Sequence, residues 1–297
     1  MKYVSLDMKK IIRFLSVIII IAAVGLLGGG VLQDGEIKEG QKITDVEENI
    51  IGNTLSDVIV NYLNKQDIDQ NKIAIYVQSL TSDESYILNP DTDFFAASVY
   101  KLPLAMIYYE NAYKGKIDLS DSLQYLENHY EEGGPVAKDF KINSWIPIST
   151  LLHHMIVNSD NTAAHILFEN LGGWLNYREL SAAYSQHELN ASFYTYDNIL
   201  TARYMNDVLS YLYEHQNIFS SLINDLYNAM PNSYLNLKIP LLTAQKYGDY
   251  GNAQNASGLV LDGEPYSIVI FTDLGSKGKE VIGEINYLCY MFFQESN

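Results

Sequence analysis

The sequence predicts a discontinuous α/β (α+β) fold with an all-α insertion, and three observations lead to this prediction. Strand-like segments stand at both ends of the region that follows residue 53. The long stretch between them has helical patterns and little strand pattern. Candidate helices also open and close the region. We therefore expect terminal helices to cover a sheet whose strands come from both ends of the chain.

The elements before the insertion are predicted from capping and alternation. Thr54 can cap a helix whose apolar positions run from Val58 to Leu63. Lys72–Leu80 alternates well enough for a strand, and a polar turn separates it from the short apolar run Tyr86–Leu88. These two runs predict a β-hairpin.

The later elements follow the same reasoning. A helical pattern runs from Ser98 to about Tyr113, and mostly helical segments follow as far as Tyr227. Three strands are then predicted, at Lys238–Gln245, Ala256–Leu261 and Tyr266–Thr272. Gly278–Phe293 is apolar at helical spacing and predicts the closing helix.

Composition limits the classes of function. The chain has 297 residues, of which 47% are hydrophobic, enough to bury a large core. Its formal net charge of −17 disfavours nucleic acid and anionic lipid headgroups as partners of the main body. The single cysteine, Cys289, cannot form a disulfide within the chain, and its apolar neighbours predict that it is buried.

The N-terminus predicts a membrane signal. A basic flank precedes an uncharged apolar run, 14–32, which is about long enough to span a bilayer. Two interpretations stay open, a retained signal anchor that places the chain on the extracytoplasmic face and a cleaved signal peptide that releases it. We favour the anchor, because no clean small-residue cleavage site precedes a polar start. The basic residues of the flank are Lys2, Lys9, Lys10 and Arg13.

The predicted organisation has three parts. Residues 1–32 are the signal segment, the acidic stretch 33–53 is a linker, and 54–297 form the main domain. Within this domain we expect the α/β part at about 54–97 and 236–297, and the all-α part at about 98–235.

A serine and a lysine stand three residues apart in Ser98-Val99-Tyr100-Lys101, so on a helix they share one face. If Ser98 opens that helix, unpaired backbone N–H groups and the positive end of the helix dipole lie beside it and favour an oxyanion. A lysine can act as a base there once burial and neighbouring cations lower its pKa.

Two more short motifs follow in order. Ser159-Asp160-Asn161 comes after an apolar helix, and Lys246-Tyr247-Gly248 ends a predicted strand. Each motif alone is weak, since a helix cap or chance can explain it. Together they resemble the active-site set of the penicillin-recognising serine enzymes, with class A β-lactamases the nearest family.

The resemblance implies a fold and a role for each residue. The fold is a five-stranded antiparallel sheet covered by helices, with the active site in the cleft between the α/β and all-α domains. The implied catalytic residues are Ser98 as nucleophile, Lys101 as base, Ser159 as proton relay and Lys246 as the anchor of a substrate carboxylate. The implied substrate-binding residues are Asn161, Tyr247, Gly248 and Asp249, the last through its backbone N–H in the oxyanion hole.

The sequence departs from the family at two places. Tyr247 stands where the family has Thr or Ser, which puts recognition of a substrate carboxylate in doubt. The family also carries a deacylating Glu in an E-x-x-L-N pattern, and Gln186 stands at its place here. Gln cannot act as a general base. Glu188, in the remnant Glu188-Leu189-Asn190, is the only substitute in view.

These observations predict an extracytoplasmic serine hydrolase that is acylated at Ser98 by a β-lactam or an acyl-D-Ala-type amide and deacylates poorly. Its partner is a small-molecule or peptidoglycan-derived substrate, and we expect a monomer that binds no nucleic acid. The resemblance implies no metal, nucleotide or organic cofactor. Two alternatives stay open, a D,D-peptidase or esterase-like hydrolase of unknown substrate and a catalytically silent binding or sensor module.

Overall fold

A five-stranded antiparallel sheet lies at the centre of the structure, a computed structural model that describes residues 54–295. Its strand order is β2-β1-β9-β8-β7, so β7 is an edge strand. The five strands are β1 (Ile73–Ser79), β2 (Ser85–Leu88), β7 (Ala244–Tyr250), β8 (Ala253–Val260) and β9 (Tyr266–Asp273). Two further antiparallel pairs are β3 (Phe94–Phe95) with β6 (Ile199–Leu200) and β4 (Ser122–Gln124) with β5 (Trp145–Pro147).

Helices cover both faces of this sheet. The first and last helices of residues 54–295 are α1 (Leu55–Lys65) and α9 (Gly278–Glu295). Between β3 and β7 the chain forms α2 (Lys101–Tyr113), α3 (Pro135–Asp139), α4 (Ile148–Val157), α5 (Asn161–Asn170), α6 (Trp174–Ser181), α7 (Ala202–Glu214) and α8 (Gln216–Asn228). The predicted α/β fold with a five-stranded antiparallel sheet is therefore confirmed.

The sheet is the middle layer of three. In β1, Ile75 and Val77 belong to the core that includes α1 and α9, whereas Ala74 and Tyr76 belong to the core formed with the inserted helices. A strand buried on both faces is almost continuously apolar, which explains the run Ile73–Val77. Each fully buried Ile or Val contributes about 1.5–3 kcal/mol relative to an exposed one.

The predicted terminal elements are confirmed at their boundaries. Thr54 caps α1, and its Oγ1 accepts a hydrogen bond from the Asp57 amide at 3.1 Å. The predicted hairpin is the β1–β2 pair, in which Tyr76 faces Ile87. Cys289 is fully buried in α9, and burial raises the pKa of its thiol.

One predicted strand is wrong. Lys238–Gln245 was expected to be a strand that ends at the lysine motif, but β7 starts only at Ala244 and continues to Tyr250. The preceding chain contains Pro240, which has no N–H for a ladder. The lysine motif therefore lies in the middle of the edge strand, where neighbouring strand pairing holds it in place.

The predicted signal segment and linker lie outside the described residues. Within 54–295, no helix is long and apolar enough to cross a membrane. The boundaries proposed for the two parts of the main domain stay a prediction.

Candidate active site

The Ser98 side chain lies at the start of a helix, as predicted. It belongs to a one-turn 3-10 helix, Ala97–Tyr100, that continues directly into α2. Ser98 is half-buried, and its hydroxyl makes no hydrogen bond within residues 54–295. A helix start leaves backbone N–H groups without helical acceptors, so they are available beside this hydroxyl.

The backbone just before Ser98 is strained. Ala97 has a φ of 49°, a left-handed conformation that costs a residue with a Cβ about 1–2 kcal/mol. Two amide side chains hold the segment, since Asn198 Nδ2 donates to Ala97 O and Asn255 Nδ2 donates to Phe95 O, both at 2.8 Å. Strain that the surroundings enforce in this way is typical of functional sites.

Strand β7 approaches the Ser98 backbone closely. A Cβ on Gly248 would lie 2.8 Å from both Ala96 O and Ser98 N. Only glycine fits such a contact. The approach brings the backbone of Gly248 against the amide of Ser98.

Lys101 is fully buried, and its ammonium lies among oxygen acceptors. Its Nζ donates to Ser159 O at 2.6 Å, to Ser159 Oγ at 3.4 Å and to Asn161 Oδ1 at 2.5 Å. Burial lowers the pKa of Lys101 to about 7, although the charges of Asp160 and Glu131 oppose the shift. A large fraction of Lys101 is therefore neutral near pH 7 and able to accept a proton.

The second motif places one hydroxyl between two lysines. Ser159 has a φ of 57°, and its Oγ lies 3.4 Å from Lys101 Nζ and 3.1 Å from Lys246 Nζ. Asp160 is buried and serves the structure, because it accepts from the amides of Ala163 at 2.8 Å and Val136 at 2.7 Å. It thereby caps α5 and fixes the neighbouring loop.

Lys246 is also fully buried. Its Nζ donates to Tyr247 O at 2.9 Å and lies 4.1 Å from the centroid of the Tyr247 ring. The Tyr247 ring stacks on Tyr234 with a centroid distance of 5.1 Å. Burial, and secondly the charge of Lys101, hold the pKa of Lys246 well below its usual value.

The segment that carries Gln186 faces a different part of the molecule. Gln186 is exposed, and its backbone N–H donates to Asp207 Oδ2 on α7 at 2.9 Å. Asn190 Nδ2 donates to Asp91 O and Asp93 Oδ1 at 3.1 and 2.9 Å. No hydrogen bond within 54–295 joins residues 185–190 to the serines or lysines above, so Glu188 has no contact that would make it their base.

The structure brings the predicted residues together. Lys101, Ser159, Asn161 and Lys246 are joined by direct hydrogen bonds, and Gly248 abuts the Ser98 amide. Tyr247 lies against Lys246, whereas the Asp249 carboxylate is turned to a separate cluster at the end of β7.

Sequence reasoning missed Asn198 and Asn255. Each reaches the 95–97 segment from a distant part of the chain, and no local pattern announces such a contact. Across the described part of the chain, no group of three or more His, Cys, Asp or Glu side chains could hold a metal ion.

Comparisons with known proteins agree with this geometry. The family model described as the beta-lactamase enzyme family matches residues 54–293. Extended-spectrum beta-lactamase PER-1 of Pseudomonas aeruginosa is 32% identical over 96 residues, which cover 30% of each chain. Beta-lactamase regulatory protein BlaB of Streptomyces cacaoi is 27% identical over 124 residues, 38% of this chain and 39% of that protein. The matches thus span less than half the length of these curated relatives.

Solved structures share the fold. A PBP-A mutant in its acyl-enzyme complex with penicillin G has a TM-score of 0.71 at 20% identity, covering 81% of this chain and 96% of that one. TLA-1 extended-spectrum beta-lactamase has a TM-score of 0.68 at 19% identity, covering 81% and 98%. At this identity the structural likeness shows the fold alone. The family model, however, spans most of the chain, so the chain belongs to the beta-lactamase enzyme family, among the penicillin-recognising serine enzymes.

Proposed function

We propose that this protein is an extracytoplasmic serine hydrolase that is acylated at Ser98 by a β-lactam or an acyl-D-Ala-type amide. One observation supports this most directly, the meeting of two buried lysines on the Ser159 hydroxyl beside the strained helix start that carries Ser98. The relative named as an acyl-enzyme with penicillin G supports the same chemistry by analogy.

The residues divide the acylation step between them. Ser98 Oγ attacks the carbonyl carbon while the neutral Lys101 amine accepts the hydroxyl proton. The Ser159 hydroxyl, which contacts both lysines, passes a proton to the leaving nitrogen as the amide bond breaks. The backbone N–H groups of Ser98 and Asp249 hold the oxyanion. Asn161 accepts from Lys101 through its Oδ1, and its Nδ2 donates to the acyl-amide carbonyl.

Deacylation is slow in this proposal. Hydrolysis of the ester needs a base that activates water, and Gln186 cannot serve as one. Its segment hydrogen-bonds to Asp207, Asp91 and Asp93 instead of to the active site. The acyl-enzyme therefore persists.

Intact-mass spectrometry over time tests the proposal. Wild type is incubated with penicillin G and, separately, with an activated neutral ester, and Ser98→Ala is treated in parallel. We expect one adduct per wild-type chain, none on Ser98→Ala, and slow loss of the adduct after free reagent is removed. Absence of a Ser98-dependent adduct with either reagent would contradict the proposal.

A second candidate is an esterase-like hydrolase within the same fold. It is favoured by Tyr247, whose stacked ring replaces a small hydroxyl beside Lys246. Both candidates use Ser98 as the nucleophile and differ in substrate. The relative rates of adduct formation with penicillin G and with the neutral ester therefore separate them.

The membrane placement is a further part of the proposal. A basic flank followed by an apolar run at 14–32 supports an N-terminal anchor. Full-length protein expressed in a bacterium should sediment with membranes and retain its first residues by peptide mapping. Recovery of a soluble chain that lacks residues 1–32 would instead support a cleaved signal peptide.

A further inference from the structure

A continuous line of contacts joins the active site to the end of β7. Ser159 Oγ lies 3.1 Å from Lys246 Nζ, which in turn lies 4.1 Å from the centroid of the Tyr247 ring. Tyr247 stacks on Tyr234, and the Tyr234 hydroxyl donates to Asp249 Oδ2 at 3.0 Å. The Asp249 carboxylate therefore lies at the far end of this line of contacts, on the residue whose backbone N–H belongs to the proposed oxyanion hole.

The lysine expected to attract a substrate carboxylate is buried and already has two hydrogen-bond acceptors. Lys246 has no exposed surface, and its Nζ donates to Ser159 Oγ and Tyr247 O. Tyr247 is only 9% exposed and covers it with an aromatic ring instead of offering a small hydroxyl. A ligand carboxylate would meet a buried ammonium that already has two acceptors, beside an aromatic ring in place of a small hydroxyl.

The lysine near the end of β7, Lys279, is paired with a carboxylate. Lys279 Nζ lies 2.8 Å from Asp249 Oδ2, and Gln254 Nε2 donates to Asp249 Oδ1 at 2.6 Å. Burial alone would raise the pKa of Asp249, but hydrogen bonds from Lys279, Tyr234 and Gln254 outweigh it and hold that pKa below its usual value. Asp249 is therefore an anion. It is paired with Lys279, the cation that a substrate carboxylate would need.

Both arginines of the described chain are committed elsewhere. Arg178 is fully buried and donates to Asp197 O and Ile199 O, and Arg203 is paired with Asp91. The β7 end thus carries an anion and a paired lysine, and no arginine that could replace them.

This inference rests on the proposed acylation at Ser98 and ranks its substrates, because penicillins and acyl-D-Ala amides with a free carboxylate on the leaving side become the slower ones. We propose that the site selects acyl donors, esters or amides, that carry no carboxylate on the leaving side of the scissile bond, and that Asp249 determines this selectivity. The step is a group transfer without redox change, in which Ser98 Oγ forms the new ester bond and the alcohol or amine leaves with a proton relayed from Lys101 through Ser159.

Penicillin G and its methyl ester form a matched pair of probes, because they differ in one carboxylate. The second-order rate of Ser98 acylation is measured for both by intact mass. We expect wild type to react at least tenfold faster with the methyl ester. Equal rates, or a preference for penicillin G, would overturn the inference while leaving the proposed function intact, whereas no Ser98-dependent adduct with either probe would remove the proposed function itself.

Substitutions test the assigned residue. Asp249→Asn keeps the backbone N–H and should raise the ratio of the penicillin G rate to the methyl ester rate about tenfold, because it frees Lys279. Lys279→Gln should slow penicillin G further. Asp262→Asn removes the same charge at the opposite end of the sheet and should change neither rate. An Asp249→Asn variant that melts like wild type and shows no carboxylate-specific gain would overturn the role of Asp249.

Discussion

At the scale of single residues, burial of Lys101 sets the pH at which the site works. Since burial lowers the pKa of Lys101 to about 7, the neutral amine becomes the main form just above that pH. We expect the acylation rate to rise from pH 5 and to level off above about pH 8, with an apparent pKa near 7. The measurement is the rate of Ser98 adduct formation from pH 5 to 10, with Ser98→Ala as the background.

A rate that keeps rising toward pH 10 would contradict this prediction, because it would place the base at the ordinary lysine pKa.

Substitution of Gln186 tests whether one missing carboxylate would account for the slow deacylation that we propose. If Gln186 lay in the active site, as the family's catalytic Glu does, Gln186→Glu would restore the base. The Gln186 side chain is exposed, however, and its backbone is hydrogen-bonded to Asp207. We therefore expect Gln186→Glu to change the lifetime of the acyl-enzyme by no more than twofold, as followed by intact mass, with Gln186→Ala as the matched control. A tenfold faster loss of the adduct in Gln186→Glu alone would show that this segment reaches the site.

The sequence was informative about residues wherever chemistry demanded a particular type at a particular spacing. Ser98 and Lys101 share a helical face, and Ser159 and Lys246 belong to recognisable triplets, so all four could be predicted. Asn198 and Asn255 could not, because an amide that donates to a distant carbonyl needs no local pattern. The outward turn of Gln186 was equally hidden, since it depends on a buried Asp in another helix.

At the scale of elements, the β7 edge and the start of α2 are coupled through Gly248. A Cβ at this position would meet Ala96 O and Ser98 N at 2.8 Å, so Gly248→Ala must push the strand away from the nucleophile. We expect acylation to fall at least a hundredfold, and stability to fall by about 1–3 kcal/mol. Adduct formation and urea unfolding measure the two effects.

Gly251 in the following turn provides a control for Gly248. Its φ is 60°, a conformation that Asn tolerates, and nothing lies within 4 Å of its Cβ position. Gly251→Asn should therefore acylate like wild type. Similar losses in both variants would indicate a general weakening of the hairpin instead of a specific contact at Ser98.

Helix α6 is tied to the segment before α7 by a buried arginine. Arg178 Nη2 donates to Asp197 O at 2.8 Å and to Ile199 O at 2.9 Å, and its guanidinium lies over the rings of Trp174 and Phe193. Arg178→Ala removes these bonds and leaves a cavity, so we expect a loss of about 3 kcal/mol in the free energy of urea unfolding.

The control for Arg178 is Arg203, which is paired with a largely exposed carboxylate, Asp91. Arg203→Ala should cost about 0–1 kcal/mol. Equal costs for the two variants would mean that the buried guanidinium contributes no more than a surface ion pair.

Element boundaries could be predicted where the apolar periodicity and the capping residues indicated the same start or end. The start of α1 at Thr54 and the runs of β1 and β9 have clear apolar patterns, whereas β8 starts at Ala253 and not at the predicted Ala256. The start of β7 differs from the prediction because the apolar stretch before it contains Pro240, which cannot donate to a strand ladder. The two-residue pair β3–β6 is too short to show any period, although it closes the sheet region beside Ser98.

At the scale of the whole molecule, chain order alone did not give the order of strands. The order β2-β1-β9-β8-β7 places the first two strands beside the last three and leaves β7 at an edge. That edge has two consequences. It lets the strand approach the Ser98 amide from one side, and it leaves the other side open to a substrate, where the Asp249–Lys279 pair stands.

The net charge of −17 adds a long-range effect to the local one. A strongly anionic protein repels an anionic substrate before contact, and salt screens that repulsion over a Debye length of about 30 Å at 0.01 M and about 8 Å at 0.15 M. We therefore expect the acylation rate with penicillin G to rise severalfold between these ionic strengths, while the rate with its uncharged methyl ester stays constant. Quenched reactions analysed by intact mass measure both rates.

A penicillin G rate that falls with salt would show that a net attractive field reaches the site. That result would contradict the repulsion expected from the negative net charge and from the pairing of Lys279 with Asp249. Asp249→Asn removes one of the anions nearest the site, so its salt dependence with penicillin G should be weaker than that of wild type, which separates the local charge from the field of the whole protein.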